Sequence, residues 1–266
     1  MPLLECVVNV SEGRRAPVID ALARSAGDQL LDVHSDADHN RSVFTLAGDD
    51  VEAAVRALAA VAVAEVDLRG HTGAHPRIGV VDVVPFVPLD EATFEDAVAA
   101  RDRFATWAGS SLELPCFLYG TGRSLPDVRR DAFRTIAPDT GPDRPHRSAG
   151  ACAVGVRTVL VAYNVWLDDH DLALARAVAA QVRGPAVRAL GLQVGDGVQV
   201  SMNLLAPDEV GPAEAYDKVA ASARVKRTEL VGLLPRAVLL AVPSSRWVQL
   251  DLSEERTIEA RVGRSG

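Results

Sequence analysis

The sequence predicts an α/β (α+β) protein built from two split β-α-β subdomains, each a mixed sheet with helices packed on it. Three observations predict it. Hydrophobic residues make up 48% of the 266, yet aromatics only 5%, so the core must rest on Val, Leu, Ile and Ala, which suit layers of sheet and helix. Apolar runs of strand length alternate with stretches of helical period through both halves. A Pro- and Arg-rich stretch interrupts that alternation near the middle, and the length suffices for two domains of ordinary size. The expected division is 1–157 and 158–266.

In chain order, LLECVVNV (Leu3 to Val10) is β-rich and ends at the turn SEG; PVIDALARSA then has helical spacing, with Pro17 suited to a first helical turn. QLLDVHS and RSVFTLAG read as two strands joined by the polar turn DADHN, which suits an antiparallel pair. DDVEAAVRALAAVAVAEV can start at an Asp cap and continues as an Ala-rich helix. IGVVDVVPFVPL reads as a mostly buried strand, DEATFEDAVAARDRFATWAG as a helix and LPCFLYG as a strand. From Thr121 to Gly150 prolines, glycines and arginines leave room for one short helix only, and a long irregular stretch in a compact protein usually carries function. TVLVAYNVWL is then a strand, DHDLALARAVAAQVRGPAVRAL a helix or broken helix and VQVSMNLL a strand. GPAEAYDKVAASARVKR is helical, TELVGLLP extended and RAVLLAV helical.

A formal charge of −8, from 36 acidic and 28 basic residues, gives no basic footprint for nucleic acid or an anionic membrane. Cys6, Cys116 and Cys152 are odd in number and widely spaced, which fits reduced core thiols and argues against disulfides or a Cys-based zinc site. The N-terminus lacks a basic leader region, and no run of about 18 apolar residues occurs. A cytoplasmic protein is the expectation.

HTGAH places His71 and His75 four apart, but Gly73 between them, Pro76 after them and the missing glutamate make a helical metal pair a poor reading. Each histidine is then either a packing or surface residue or a proton carrier; the context adds weight to proton transfer, since His75 enters a buried strand with Arg77 two residues on and an imidazole of pKa about 6.5 exchanges protons near neutrality. Asp82, a carboxylate within the apolar strand, needs a partner, and it either orients a histidine or pairs with an arginine. HSDADHNRSV gathers His34, Asp36, Asp38, His39, Asn40 and Arg41 in a turn without calcium-loop spacing.

The segments ECVVNVSEG, HSDADHNRSVFTLAG, GAHPRIGVVDVVPFVPL, AGACAVGVRTVLVAYNV and VQVSMNL, in this order, resemble those of the folate-dependent formiminotransferases over about residues 4 to 205. The resemblance implies two α/β subdomains with a ligand tunnel between them, usually in a homodimer. It implies transfer of a formimidoyl group between nitrogen 5 of tetrahydrofolate, the one-carbon carrier, and the amino group of glutamate, as in histidine degradation, with no metal. By the same resemblance His75 is the catalytic histidine, and the loop Gly141, Pro142, Asp143, Arg144, Pro145, His146, Arg147, Ser148, Ala149 and Gly150 is the folate-binding segment. Arg41, Arg77 and Arg157 are candidates to hold substrate carboxylates, because guanidinium pairs with them bidentately, or else they form structural ion pairs.

The chain departs from the family pattern at Val8, Val10, Val156 and Trp166, the last a large ring where a small amide is common, and at His34, where an acidic residue is common. No appended cyclodeaminase domain is expected. These departures motivate two alternatives: folate-dependent formyl or formimidoyl transfer to a different amine, and a non-catalytic folate-binding homologue. A metal-dependent hydrolase is a third.

Overall fold

The computed structural model describes residues 2–263, so residues 1 and 264–266 of the expected subdomains lie outside the described residues. The chain divides into two compact units, one through Thr158 and the other from Val159.

The first unit runs β1 (Leu4–Val10), α1 (Ala16–Ala26), β2 (Leu30–Asp36), β3 (Arg41–Gly48), α2 (Val51–Glu65), β4 (Val81–Pro88), α3 (Phe94–Ser111), β5 (Cys116–Tyr119), α4 (Leu125–Asp131) and β6 (Cys152–Val156). Its six strands lie in the order β2-β3-β1-β4-β6-β5, antiparallel except for the parallel pairs β4/β6 and β5/β6. Helices α1 to α3 bury an apolar stripe against one face, where Leu22, Leu58 and Phe104 meet Val8, Leu46 and Phe86. α4 covers part of the other face, packing Val128 with Val83, Phe117 and Tyr119. Capping boxes Thr93/Asp96 and Ser124/Asp127 start α3 and α4, satisfying N–H groups that a helix leaves open.

β4 departs from simple alternation. Asn9 of β1 faces Val83 while the next residue, Val10, faces Val81, so Asp82 is an extra residue in a β-bulge. Val81 and Val84 enter the helix-covered core and Val83 the opposite cluster. The bulge puts Asp82 on the same side as Val83, beside Arg41 and Asn9.

The second unit runs β7 (Val161–Leu167), α5 (Leu172–Val182), β8 (Val187–Val194), β9 (Gly197–Leu204), α6 (Pro212–Ala220), β10 (Val225–Val231), α7 (Arg236–Leu240) and α8 (Ile258–Val262). Its sheet, β10-β7-β9-β8, is antiparallel throughout, where a mixed sheet was expected. Of the helix or broken helix expected over DHDLALARAVAAQVRGPAVRAL, the helical part ends at Val182. Gly184 and Pro185 break it, and Val187 to Val194 form β8, whose Val187 and Ala189 point inward while Arg188 and Leu190 face out. Likewise the helix expected over GPAEAYDKVAASARVKR stops at Ala220, and VKR begins β10. No helix among the described residues is long and apolar enough to cross a membrane.

Candidate active site

At one end of the first sheet β1 stops, while β3 and β4 begin. Three connections meet there and are stitched together. Ser11 N–H donates to Val80 O at 2.8 Å, and its hydroxyl donates to Gly79 O at 2.8 Å. Asn40 accepts from Gly13 N–H at 3.0 Å and donates to Thr72 O at 3.0 Å, joining the first turn to the histidine loop. It does so with φ 48°, a left-handed conformation that asparagine tolerates. Ala74 N–H donates to Asp38 O at 3.1 Å. Gly73 must be glycine, because a Cβ there would stand 2.2 Å from His39 O.

On this base sits His75. Its Nδ1 is 2.7 Å from Pro76 O; a carbonyl only accepts, so Nδ1 carries the proton and Nε2 keeps its lone pair. The ring of His39 approaches edge-on, with centroids 6.1 Å apart. Burial, and then the guanidinium groups of Arg41 and Arg129, push the imidazole down to about 3 against a weaker opposing pull from Asp82. His75 is therefore neutral near pH 7.

Asp82 is fully buried. Its Oδ2 accepts from Arg41 Nη1 and from Arg129 Nη2, each at 2.7 Å, and its Oδ1 accepts from Ile78 N–H at 2.7 Å. Burial opposes its ionisation, yet Arg41 and Arg129 outweigh it and hold the carboxyl at about 2. Of the two roles the sequence left open, pairing with arginine is the one found. Arg41 also donates to Asn9 Oδ1, through Nε at 3.1 Å and Nη2 at 2.9 Å.

Arg77 turns back on its own loop. Its Nη2 donates to His75 O at 2.6 Å and His39 O at 3.1 Å, and its Nη1 reaches Asn40 O at 3.3 Å and His71 Nδ1 at 2.8 Å. The guanidinium clamps the main chain that carries His75, and His71 is a neighbour of that clamp. Among the described residues no group of three or more His, Cys, Asp or Glu is placed to hold a metal ion.

The loop from Gly141 to Gly150 closes on itself, with His146 N–H to Gly150 O at 2.8 Å and Ala149 N–H to His146 Nδ1 at 3.0 Å. Its last residues run beside the strand entry: Val80 N–H donates to Ala149 O at 2.8 Å and Ala151 N–H to Ile78 O at 2.9 Å. The loop thus begins its return a few residues from His75, while Asp143, Arg144, Pro145 and Arg147 are exposed. Arg157 lies elsewhere. It follows β6, whose Val156 faces Phe86, four residues along β4 from Asp82 or roughly 13 Å; its Nη1 donates to Thr158 O at 2.9 Å.

Arg129 is the residue that sequence reasoning missed. It stands in the irregular stretch, and the signals available were the arginine excess there and the room for one short helix. In the second unit, the sheet face away from the core carries a separate polar group. Trp166 Nε1 and Asn164 Nδ2 donate to Glu229 at 3.0 and 3.1 Å, and Arg227 stacks on the Trp166 ring at 4.1 Å. Beside them Gln199 is fully buried.

Residues 3–157 match the family described as the formiminotransferase domain, N-terminal subdomain. A Streptococcus pyogenes serotype M1 protein named glutamate formimidoyltransferase is 35% identical across 90% of this chain and 91% of its own length. A Thermoplasma acidophilum protein of the same name is 33% identical across 98% and 97%. A Sus scrofa formimidoyltransferase-cyclodeaminase is 34% identical across 90% of this chain and 51% of its own.

Proposed function

The chain belongs to the formiminotransferase family, and on that premise we propose that it is a glutamate formimidoyltransferase with His75 as its general base and acid. It moves the formimidoyl group between nitrogen 5 of tetrahydrofolate and the amino group of L-glutamate. The observation that carries the role of His75 is the 2.7 Å contact between its Nδ1 and Pro76 O, which leaves Nε2 as the basic nitrogen.

In either direction one nitrogen must lose a proton as it attacks the formimidoyl carbon, and the other must gain one as it leaves. Nε2 takes the first proton and returns it to the leaving nitrogen, so the ring ends as it began. A positioned base of this kind contributes roughly 10² to 10⁴ in rate, and orientation of the two substrates supplies much of the remainder. Burial, with Arg41 and Arg129, keeps the free ring neutral but weakens it as a base; substrate carboxylates bound beside the arginines offset their charge and restore part of that basicity.

Tetrahydrofolate acts as co-substrate. The 141–150 loop suits its acidic tail: Arg144 and Arg147 are exposed there, and guanidinium pairs with carboxylate in a planar fork. A homodimer and a cytoplasmic setting belong to the same proposal. Arg41 and Arg77 serve it by shaping the site, since their donors are engaged within the protein.

A second reading, transfer to a different amine, rests on Trp166 and its stack with Arg227. Formimidoyl transfer is followed by the absorbance of the folate product, with glutamate compared against other amines. Turnover of formimidoylglutamate by the wild type, lost in His75→Asn while folate binding persists, is the expected result. No turnover with this substrate overturns the function, and an equally active variant overturns the base.

A further inference from the structure

Arg129 reaches from α4 to the two groups that govern His75. Its Nη1 donates to Pro76 O at 2.9 Å, the same oxygen that accepts from His75 Nδ1, and its Nη2 donates to Asp82 at 2.7 Å. A carbonyl has two lone pairs, so both bonds form at once, and each is strengthened by an ionised partner or a fixed dipole. The neighbouring Val128 is fully buried in the cluster beneath α4, and the Ser124/Asp127 box fixes where that helix starts. The guanidinium is thereby carried by an anchored element.

We propose that Arg129 is a positioning residue for His75: it ties the Pro76 carbonyl to buried Asp82 and so holds the imidazole in the Nδ1–H form with Nε2 free. The inference rests on the assignment of His75 as the base. The other charged groups facing the ring are Arg41 from β3, Arg77 from the histidine loop, Asp82 from β4 and, as a titratable neighbour, His39 from the β2–β3 turn. Arg41 is engaged by Asn9 and Asp82, and Arg77 by main-chain carbonyls and the His71 ring. Arg129 bonds to both the acceptor of the imidazole proton and the anion behind it. Its removal leaves Asp82 held by Arg41 and Ile78 N–H, so the variant is expected to fold.

The test uses full-length protein labelled with ¹⁵N in histidine, the His75 signals being those absent from His75→Asn. In the wild type Nδ1 is protonated and Nε2 bare, and the ring stays neutral well below pH 6. In Arg129→Gln the ring titrates at higher pH and populates both tautomers; in Arg129→Lys the charge persists but the tautomer is no longer fixed. Turnover falls about 10- to 100-fold in both, with the KM for folate changed less than threefold, and the acid limb of kcat/KM moves to higher pH only in Arg129→Gln. A wild-type His75 protonated at Nε2, or folded variants with unaltered tautomer and pH profile, overturns the proposal. If the ¹⁵N pattern depends on Arg129 while the wild type transfers no formimidoyl group, the function fails and the positioning role stands.

Discussion

Arg41 and Asp82 meet across an intervening strand: one starts β3, the other lies in the bulge of β4, and their 2.7 Å ion pair spans β1 between them. Asp82→Asn removes the anion and leaves Arg41, itself buried, without its counter-charge. Breaking one side of a buried pair costs about 3–5 kcal/mol, to be read as a lower urea midpoint with unchanged slope. The native carboxyl titrates at about 2 and the unfolded one near 3.8. Stability from this pair is thus fully present above about pH 4 and lost as pH falls through 2, a limb that should vanish from the acid unfolding curve of the variant.

His75 adds an acid sensitivity of the same sign that sets in at higher pH. Its pKa is near 3 when folded and 6.5 when unfolded, so between these values the unfolded chain binds the extra proton. Stability should decline as pH falls from 6.5 toward 3. His75→Asn should flatten that part of the curve in chemical unfolding measured at a series of pH values.

Gly79→Ala should detach the 141–150 loop from the strand entry. A Cβ at Gly79 would lie 1.8 Å from Ala151 O, and the backbone must shift to admit it. Such overpacking costs about 1–3 kcal/mol. Hydrogen exchange should speed up at Val80 and Ala151, whose N–H groups make the junction, and folate affinity should fall with it; full protection in the variant would contradict this.

Gln199→Met should stabilise the protein. Neither amide atom of this buried side chain has a hydrogen-bond partner among the described residues. An apolar side chain of similar length removes a desolvation cost of about 1–3 kcal/mol. Calorimetry should show the second unit melting a few degrees higher; a lower midpoint would mean the amide is held.

Much of this was legible in the chain. The alternation of strands and helices in the first unit follows from residue period, and HPR with its preceding Gly73 identifies the loop that bears His75. β6 has no clear signal in the chain, because CAVGV is a short apolar run buried on both faces, without alternation. β8 reads as part of a helix or broken helix because Ala, Val, Arg and Leu serve either structure, and its pairing with β9 decides for strand. The role of Asp82 depends on a bulge, which shifts the period where a pattern must be read. The role of Arg129 depends on where α4 docks, a long-range fact with no local signature.

The bulge also turns spacing into an integer constraint. Deleting one residue between Pro76 and Val83 would return β4 to plain alternation and point a carboxylate into hydrocarbon among Val10, Val81 and Val84. At this end of the sheet side chains can be exchanged, but the number of peptide units between base and anion cannot change. The segment works as a ruler, and divergence in length must be absorbed elsewhere in the chain.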